Sequence, residues 1–72
     1  MEYQNIIDYL KQKNKHRIAM FIQMYYVEQK SQKEIMTELY IDTVWWYYSF
    51  RRRVKTIIQT LIDDNKKLAN MQ

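Results

Sequence analysis

Between positions 43 and 55 the chain combines aromatic and positively charged side chains more densely than anywhere else. Residues 45–48 read Trp-Trp-Tyr-Tyr, Phe50 follows closely, and residues 51–53 are three arginines before Lys55. Cationic side chains bind phosphate or carboxylate oxygens. Aromatic rings offer flat surface for stacking on bases or for contact with another protein. The chemistry that this stretch predicts is therefore binding, to a polyanion or to a protein.

The residue types that catalysis or metal binding would need are scarce. The chain has no Gly, no Cys, two serines and a single histidine, His16. A glycine loop for phosphate is therefore impossible, and a lone histidine does not make a zinc site. Asp63-Asp64 is the one carboxylate pair, and a solvated helix end explains it. We expect no enzyme, no metal and no cofactor.

Length and composition indicate one small all-α domain. The chain has 72 residues and no Gly or Pro, whereas hairpins and sheets depend on such turn residues. A core of this size is marginal, and without Cys it must rely on tight helix packing or on oligomerisation. The apolar positions Ile57, Ile58, Leu61 and Ile62 leave a homodimer open.

No apolar run is long enough for a membrane span, and no secretion signal opens the chain. We therefore expect a bacterial cytosolic or nucleoid location. Net charge is +4, and it is concentrated in two clusters, one over residues 11–17 and the other over residues 51–55. These clusters are either two solvated helix faces or the electrostatic footprint of a polyanion site.

Apolar periodicity and capping signals predict four helices, at about 3–13, 15–27, 31–39 and 43–64. Asn14 is expected to end the first helix in a left-handed conformation or to cap the second. Ser31 and Glu34 form a capping box at the third helix start. Asp42 is the predicted N-cap of the fourth helix. A short helix, a tight turn and a long helix are typical of a helix-turn-helix.

The fourth helix is predicted to have an apolar and a basic side. At 100° per residue, the apolar side carries Trp46, Phe50, Val54, Ile57 and Leu61, with Arg53 at its edge. The opposite side carries Val44, Tyr48, Arg51, Arg52 and Lys55, flanked by Trp45 and Tyr47. Trp45 and Tyr48 could equally cover the core or form a contact surface. We expect the helix to run to Asp63-Asp64-Asn65, the first residues that could break it. Leu61, Ile62 and Leu68 could extend it or pack on a partner, and residues 66–72 are expected to fray.

Residues 24–35 read MYYVEQKSQKEI, and residues 39–42 read LYID before the aromatic-to-arginine helix. These two segments resemble region four of bacterial sigma factors, and small phage-encoded transcription regulators of Gram-positive bacteria carry similar modules. The family has a Tyr-rich helix end, a polar loop, a Ser-x-x-Glu-Ile helix and a tight turn before the recognition helix. The turn glycine of the family is Tyr40 here, which must take a positive φ or change the turn.

The resemblance implies a helix-turn-helix that binds double-stranded DNA. It assigns major-groove positions to Thr43, Val44, Tyr47, Tyr48 and Arg51, and phosphate contacts to Lys30, Gln32 and Lys33. The N–H groups at Ser31 would add an anion site, and Trp45, Arg52 and Lys55 would extend the contact face.

Two functions follow from this reading. The first is a DNA-binding transcription regulator of phage or mobile-element type, acting alone, as a dimer or with host RNA polymerase. The second is a protein-interaction module that binds, and inhibits or redirects, a transcription regulator, a sigma factor or RNA polymerase. The same fold can serve either function.

Overall fold

A computed structural model describes the backbone of residues 3–70 and the side chains of residues 3–64. It confirms the all-α expectation, with four helices and, over the described residues, no strand. The elements are α1 (Tyr3–Gln12), α2 (His16–Ile22, continued by the π-helical turn Gln23–Val27), α3 (Gln32–Glu38) and α4 (Val44–Asn70).

The core lies where α1, α2 and α4 meet, with α3 closing one side. The predicted apolar face of α1 is confirmed, because Ile6, Ile7 and Leu10 are buried. Its partners come from all of the other elements and are Ala19, Phe21, Ile22, Met24, Ile35, Leu39, Tyr47, Val54 and Ile58. Phe21 is at the centre, since its ring contacts those of Tyr25, Tyr47 and Phe50 at centroid distances of 5.4, 5.9 and 5.3 Å.

Three helix ends turn through a residue with positive φ, and none of these residues is glycine. Asn14, Gln29 and Tyr40 have φ of 62°, 54° and 57°. After Asn14, the Lys15 N–H bonds the Leu10 carbonyl at 2.9 Å, and after Tyr40 the Ile41 N–H bonds the Met36 carbonyl at 2.8 Å. These bonds satisfy carbonyl groups that a helix end leaves open. The left-handed expectation for Asn14 is confirmed, and Tyr40 takes the positive-φ alternative.

The start of α3 confirms the Ser31 cap. The Ser31 hydroxyl accepts from the Glu34 N–H at 3.2 Å and lies 3.2 Å from the Glu34 carboxylate, to which it can donate. In a capping box the carboxylate accepts from the N–H of the cap residue, here Ser31. In this structure its donor is the Ser31 hydroxyl instead.

We expect Ser31→Ala to lower the free energy of unfolding by about 1 kcal/mol, because it removes the cap acceptor. Ser31→Asp keeps a cap acceptor and should stay near the wild-type value. Urea denaturation followed by circular dichroism measures both changes. Equal losses in the two variants would contradict a role for the cap.

Both ends of α4 differ from the prediction. The helix begins at Val44, so Thr43 rather than Asp42 is its N-cap, and the Thr43 hydroxyl accepts from the Trp46 N–H at 3.2 Å. The helix also continues through Asp63-Asp64-Asn65 to Asn70. Asp and Asn cost only about 0.7 kcal/mol each inside a helix, which is too little to end one whose neighbours favour it. Residues 71–72 lie outside the described residues.

The apolar residues of α4 that suggested a possible homodimer are mostly covered by other parts of the same chain. Ile58 is buried, whereas Ile57, Leu61 and Ile62 are partly buried and pack against the core. Little apolar area remains there for a second copy, and a homodimer stays a prediction.

Candidate functional site

Tyr47 anchors the first turns of α4, where the sequence predicted Trp46. Tyr47 is 2% exposed and its ring lies beside that of Phe21, whereas Trp46 is 57% exposed. The buried positions of α4 are Tyr47, Val54 and Ile58, so the helix is rotated by about 60° from the predicted orientation. The predicted core positions Phe50, Ile57 and Leu61 are only partly buried. The core role of Trp46 and the major-groove role of Tyr47 are therefore both wrong.

The rotation leaves a large aromatic surface on the first two turns of α4. Trp45 is 69% exposed, Tyr48 is 45% exposed, and the Trp45 and Trp46 rings meet at 5.0 Å. Tyr40, in the preceding turn, is 90% exposed. Tyr40, Trp45 and Trp46 form one patch, and at 150–250 Å² per aromatic side chain they expose on the order of 400 Å². That area is within the range of about 300–600 Å² for the largest patch of a monomer, which is often a contact surface.

A basic cleft lies along one flank of α4, opposite Trp46. Its volume is about 610 Å³, and it is lined by Tyr25, Tyr26, Tyr48, Arg51, Arg52 and Lys55. The Arg51 guanidinium lies 4.8 Å from the centre of the Tyr48 ring. Aromatic stacking of this kind holds the guanidinium in one place without a carboxylate partner. Four of the predicted contact residues are thus brought together, namely Tyr48, Arg51, Arg52 and Lys55.

Two residues of this cleft, Tyr25 and Tyr26, were not predicted as site residues. Helical spacing over residues 15–27 predicts Tyr25 on the inward face of the second helix and Tyr26 on its flank, and core filling was the role expected of both. Both are half-buried, with one side of each ring on the core and the other lining the cleft. Burial raises the pKa of Tyr26 above its ordinary value of 10.0, and Tyr25 adds to the rise. Its hydroxyl is therefore a neutral donor at physiological pH.

A hydrogen bond connects this flank of α4 with the start of α3. The Tyr48 hydroxyl donates to Gln32 Oε1 at 3.4 Å. The residues predicted to contact phosphate and those predicted to enter the groove therefore form one continuous surface. Among the former, Lys33 is exposed, whereas the Lys30 ammonium lies 3.4 Å from the Glu28 carboxylate.

Other predicted contacts are engaged within the protein. The Ser31 hydroxyl bonds Glu34, and the Gln32 amide contacts both Tyr48 and the Met36 sulfur. The hydroxyl of Thr43 serves the helix cap, which leaves its methyl group for contact. Val44 is exposed beside it. The open groups of the surface are therefore Val44, Trp45, the cations of the cleft and Lys33.

The cations of the cleft have no ionic partner in the described part of the chain. Over residues 3–64, the Lys30–Glu28 contact is the only ion pair between side chains. Arg51, Arg52 and Lys55 therefore leave an uncompensated charge of about three on one flank, which is the arrangement that a polyanion would neutralise.

Over the described residues, no group of three or more His, Cys, Asp or Glu side chains could hold a metal ion. No helix in that part of the chain is both long and apolar enough to cross a membrane, and α4 is too polar despite its length. Comparison of the chain with protein-family models, with curated proteins and with solved structures finds no match. The resemblance to region four of sigma factors, and the roles that it implies, stay predictions.

Proposed function

We propose that this chain is a DNA-binding transcription regulator of phage or mobile-element type. In this proposal α3 and α4 form a helix-turn-helix similar to region four of sigma factors. The observation that supports it best is the Tyr48–Gln32 contact, because it joins the start of α3 to the unpaired cations of α4. The supporting helix and the recognition helix then present one positive surface to the duplex.

The first turn of α4 enters the major groove, where an α-helix fits and its N-terminal residues reach base edges. The methyl groups of Thr43 and Val44 suit contact with thymine methyls. Tyr48 follows one turn later on the same side of the helix. Its hydroxyl is bonded to Gln32, and this bond connects α4 to the start of α3 beside the groove.

Phosphate groups are held by the cations on the flank of α4. Arg51, Arg52 and Lys55 point into the cleft, and Lys33 lies exposed near the start of α3. Each neutralised phosphate contributes about 0.9 to the slope of log affinity against log salt concentration. Four such contacts predict a slope between about −3 and −4.

The test is a titration of the purified chain with random-sequence duplex DNA, followed by fluorescence anisotropy at increasing salt. We expect a dissociation constant of about 1 μM or less at low salt, and the slope given above, because the contacts are mainly ionic. Absence of binding at low salt would reject this function.

A second function is favoured by the exposure of Trp45 and Trp46. Trp, Tyr and Arg are the residues enriched at the centres of protein interfaces. A module with this surface would bind, and inhibit or redirect, a transcription regulator, a sigma factor or RNA polymerase. If the chain does not bind duplex DNA at low salt, this second function replaces the first.

A further inference from the structure

A groove lies on the flank of α4 opposite the basic cleft. Its deeper part has a volume of about 370 Å³. The walls are the aromatic rings of Tyr40, Trp46 and Phe50 with the side chain of Ile41, and Arg17 and Arg53 lie among them. Because Arg17 belongs to α2, we name this feature the α2–α4 groove.

The α2–α4 groove continues past its deeper part. A shallower hollow of about 390 Å³ shares Arg17, Phe50 and Arg53 with it, and runs on beside Lys15 and His16. Two adjoining hollows suit an extended chain better than a compact small molecule. The deeper hollow has room for a bulky side chain, and the shallower one for the residues that follow it.

The charge of the α2–α4 groove is positive. Lys15, Arg17 and Arg53 lie along it, and Asp42 is its one carboxylate. None of these cations takes part in an ion pair within residues 3–64. The Arg17 guanidinium is 5.9 Å from the centre of the Phe50 ring, so an aromatic contact holds it at the groove wall.

Tyr40 gives a second reason to regard the α2–α4 groove as a binding surface. It combines a positive φ with 90% exposure, which is unusual for a bulky residue that packing does not hold in place. A glycine at this turn would avoid a cost of about 1–2 kcal/mol. Strain of this kind is common at binding sites, and here it places an aromatic ring on the groove wall.

We propose that the α2–α4 groove binds an acidic peptide segment of a partner protein, with one bulky apolar side chain in the deeper hollow. The carboxylates of the segment pair with Arg17, Arg53 and Lys15. The apolar side chain packs on the exposed part of the Trp46 ring. Such an interface gains affinity when the aromatic ring is buried by the peptide, and it gains specificity from the charge pairs around the ring.

Nucleic acid fits the α2–α4 groove less well than a peptide does. The sugar–phosphate backbone of a duplex has no bulky apolar group that could fill the deeper hollow. The groove and the basic cleft also occupy different flanks of α4, since Arg53 lines the first and Arg52 the second. The peptide and the DNA of the proposed function could therefore be held together, and peptide binding does not depend on DNA binding.

The test uses a short fluorescein-labelled peptide of Asp and Glu residues around a central Phe-Leu pair, with fluorescence anisotropy as the readout. We expect saturable binding to the wild-type chain without DNA. Arg53→Glu should weaken that binding by about tenfold or more, because it reverses a groove charge. Arg52→Glu makes the same change in net charge on the other flank, and should stay within about twofold of wild type.

A second variant and two control peptides separate the contributions. Trp46→Ala should also weaken binding, because it removes the apolar wall. A peptide with Gln and Asn in place of the acids, and one with Ala in place of the Phe-Leu pair, should both bind more weakly than the probe. Circular dichroism confirms that each variant is folded.

Three results would overturn the proposal. One is equal peptide affinity for Arg53→Glu and Arg52→Glu. Another is equal affinity for the acidic and the neutral peptide. The third is displacement of the peptide from Arg52→Glu by duplex DNA, which would make the α2–α4 groove a nucleic-acid site. The proposed DNA function is judged separately, by its own titration.

Discussion

Replacement of Tyr47 by alanine should remove about half of the free energy of unfolding, whereas the same change at Trp46 should remove little of it. Tyr47 is buried against Phe21, and truncation of a large buried aromatic residue costs about 3–5 kcal/mol. The free energy of unfolding of a chain of this length is roughly 4–11 kcal/mol in total. Trp46 is exposed, so Trp46→Ala should cost less than about 1 kcal/mol.

Urea denaturation followed by circular dichroism measures the free energy of unfolding of both variants. Tyr47→Phe is the matched control, since it keeps the ring, and it should stay within about 1 kcal/mol of wild type. A larger loss for Trp46→Ala than for Tyr47→Ala would restore the predicted orientation of α4. It would also return Tyr47 to the contact surface.

Local signals in the sequence account for the parts of the fold that were predicted well. The Ser31 cap, the left-handed Asn14 and the apolar spacing of α1 each depend on residues within one or two helical turns. Such signals are visible in a single segment because the interactions that they report are made inside it. The number and order of the helices follow from them.

The rotation of α4 depends on contacts that no local signal shows. Four aromatic residues in a row offer no contrast between an inward and an outward position, so hydrophobicity cannot choose among them. The choice is made by Phe21 on α2, whose ring contacts both Tyr47 and Phe50. Only the packing of α2 against α4 therefore selects the series through Tyr47, Val54 and Ile58 over the series through Trp46.

The arginine cluster divides as predicted, with Arg53 apart from Arg51 and Arg52, but Arg53 is exposed and does not lie at the edge of the core. The sequence placed Arg53 at the edge of the core, where its stem would have to reach past apolar neighbours to solvent. In the structure Arg53 is exposed and lines the α2–α4 groove, while Arg51 and Arg52 line the basic cleft. Adjacent arginines thus serve two surfaces, because consecutive residues of a helix point about 100° apart.

The division of the cluster predicts which arginines DNA binding requires. Arg51→Glu/Arg52→Glu should weaken binding to random duplex DNA by about 100-fold or more at low salt, and reduce the salt slope by about 1.8, because two phosphate contacts are lost and two repulsions are added. Fluorescence anisotropy over a range of salt concentrations measures both quantities.

The control for this variant is Arg17→Glu/Arg53→Glu, which lowers the net charge from +4 to 0 by the same two reversals. Its changes lie in the α2–α4 groove. This variant should therefore keep most of the salt slope of DNA binding, and it should lose peptide binding instead. General electrostatic attraction would weaken DNA binding equally in both variants, since their net charge is the same. Equal losses would therefore show that charge, and not the surface joined by Tyr48 and Gln32, holds the DNA.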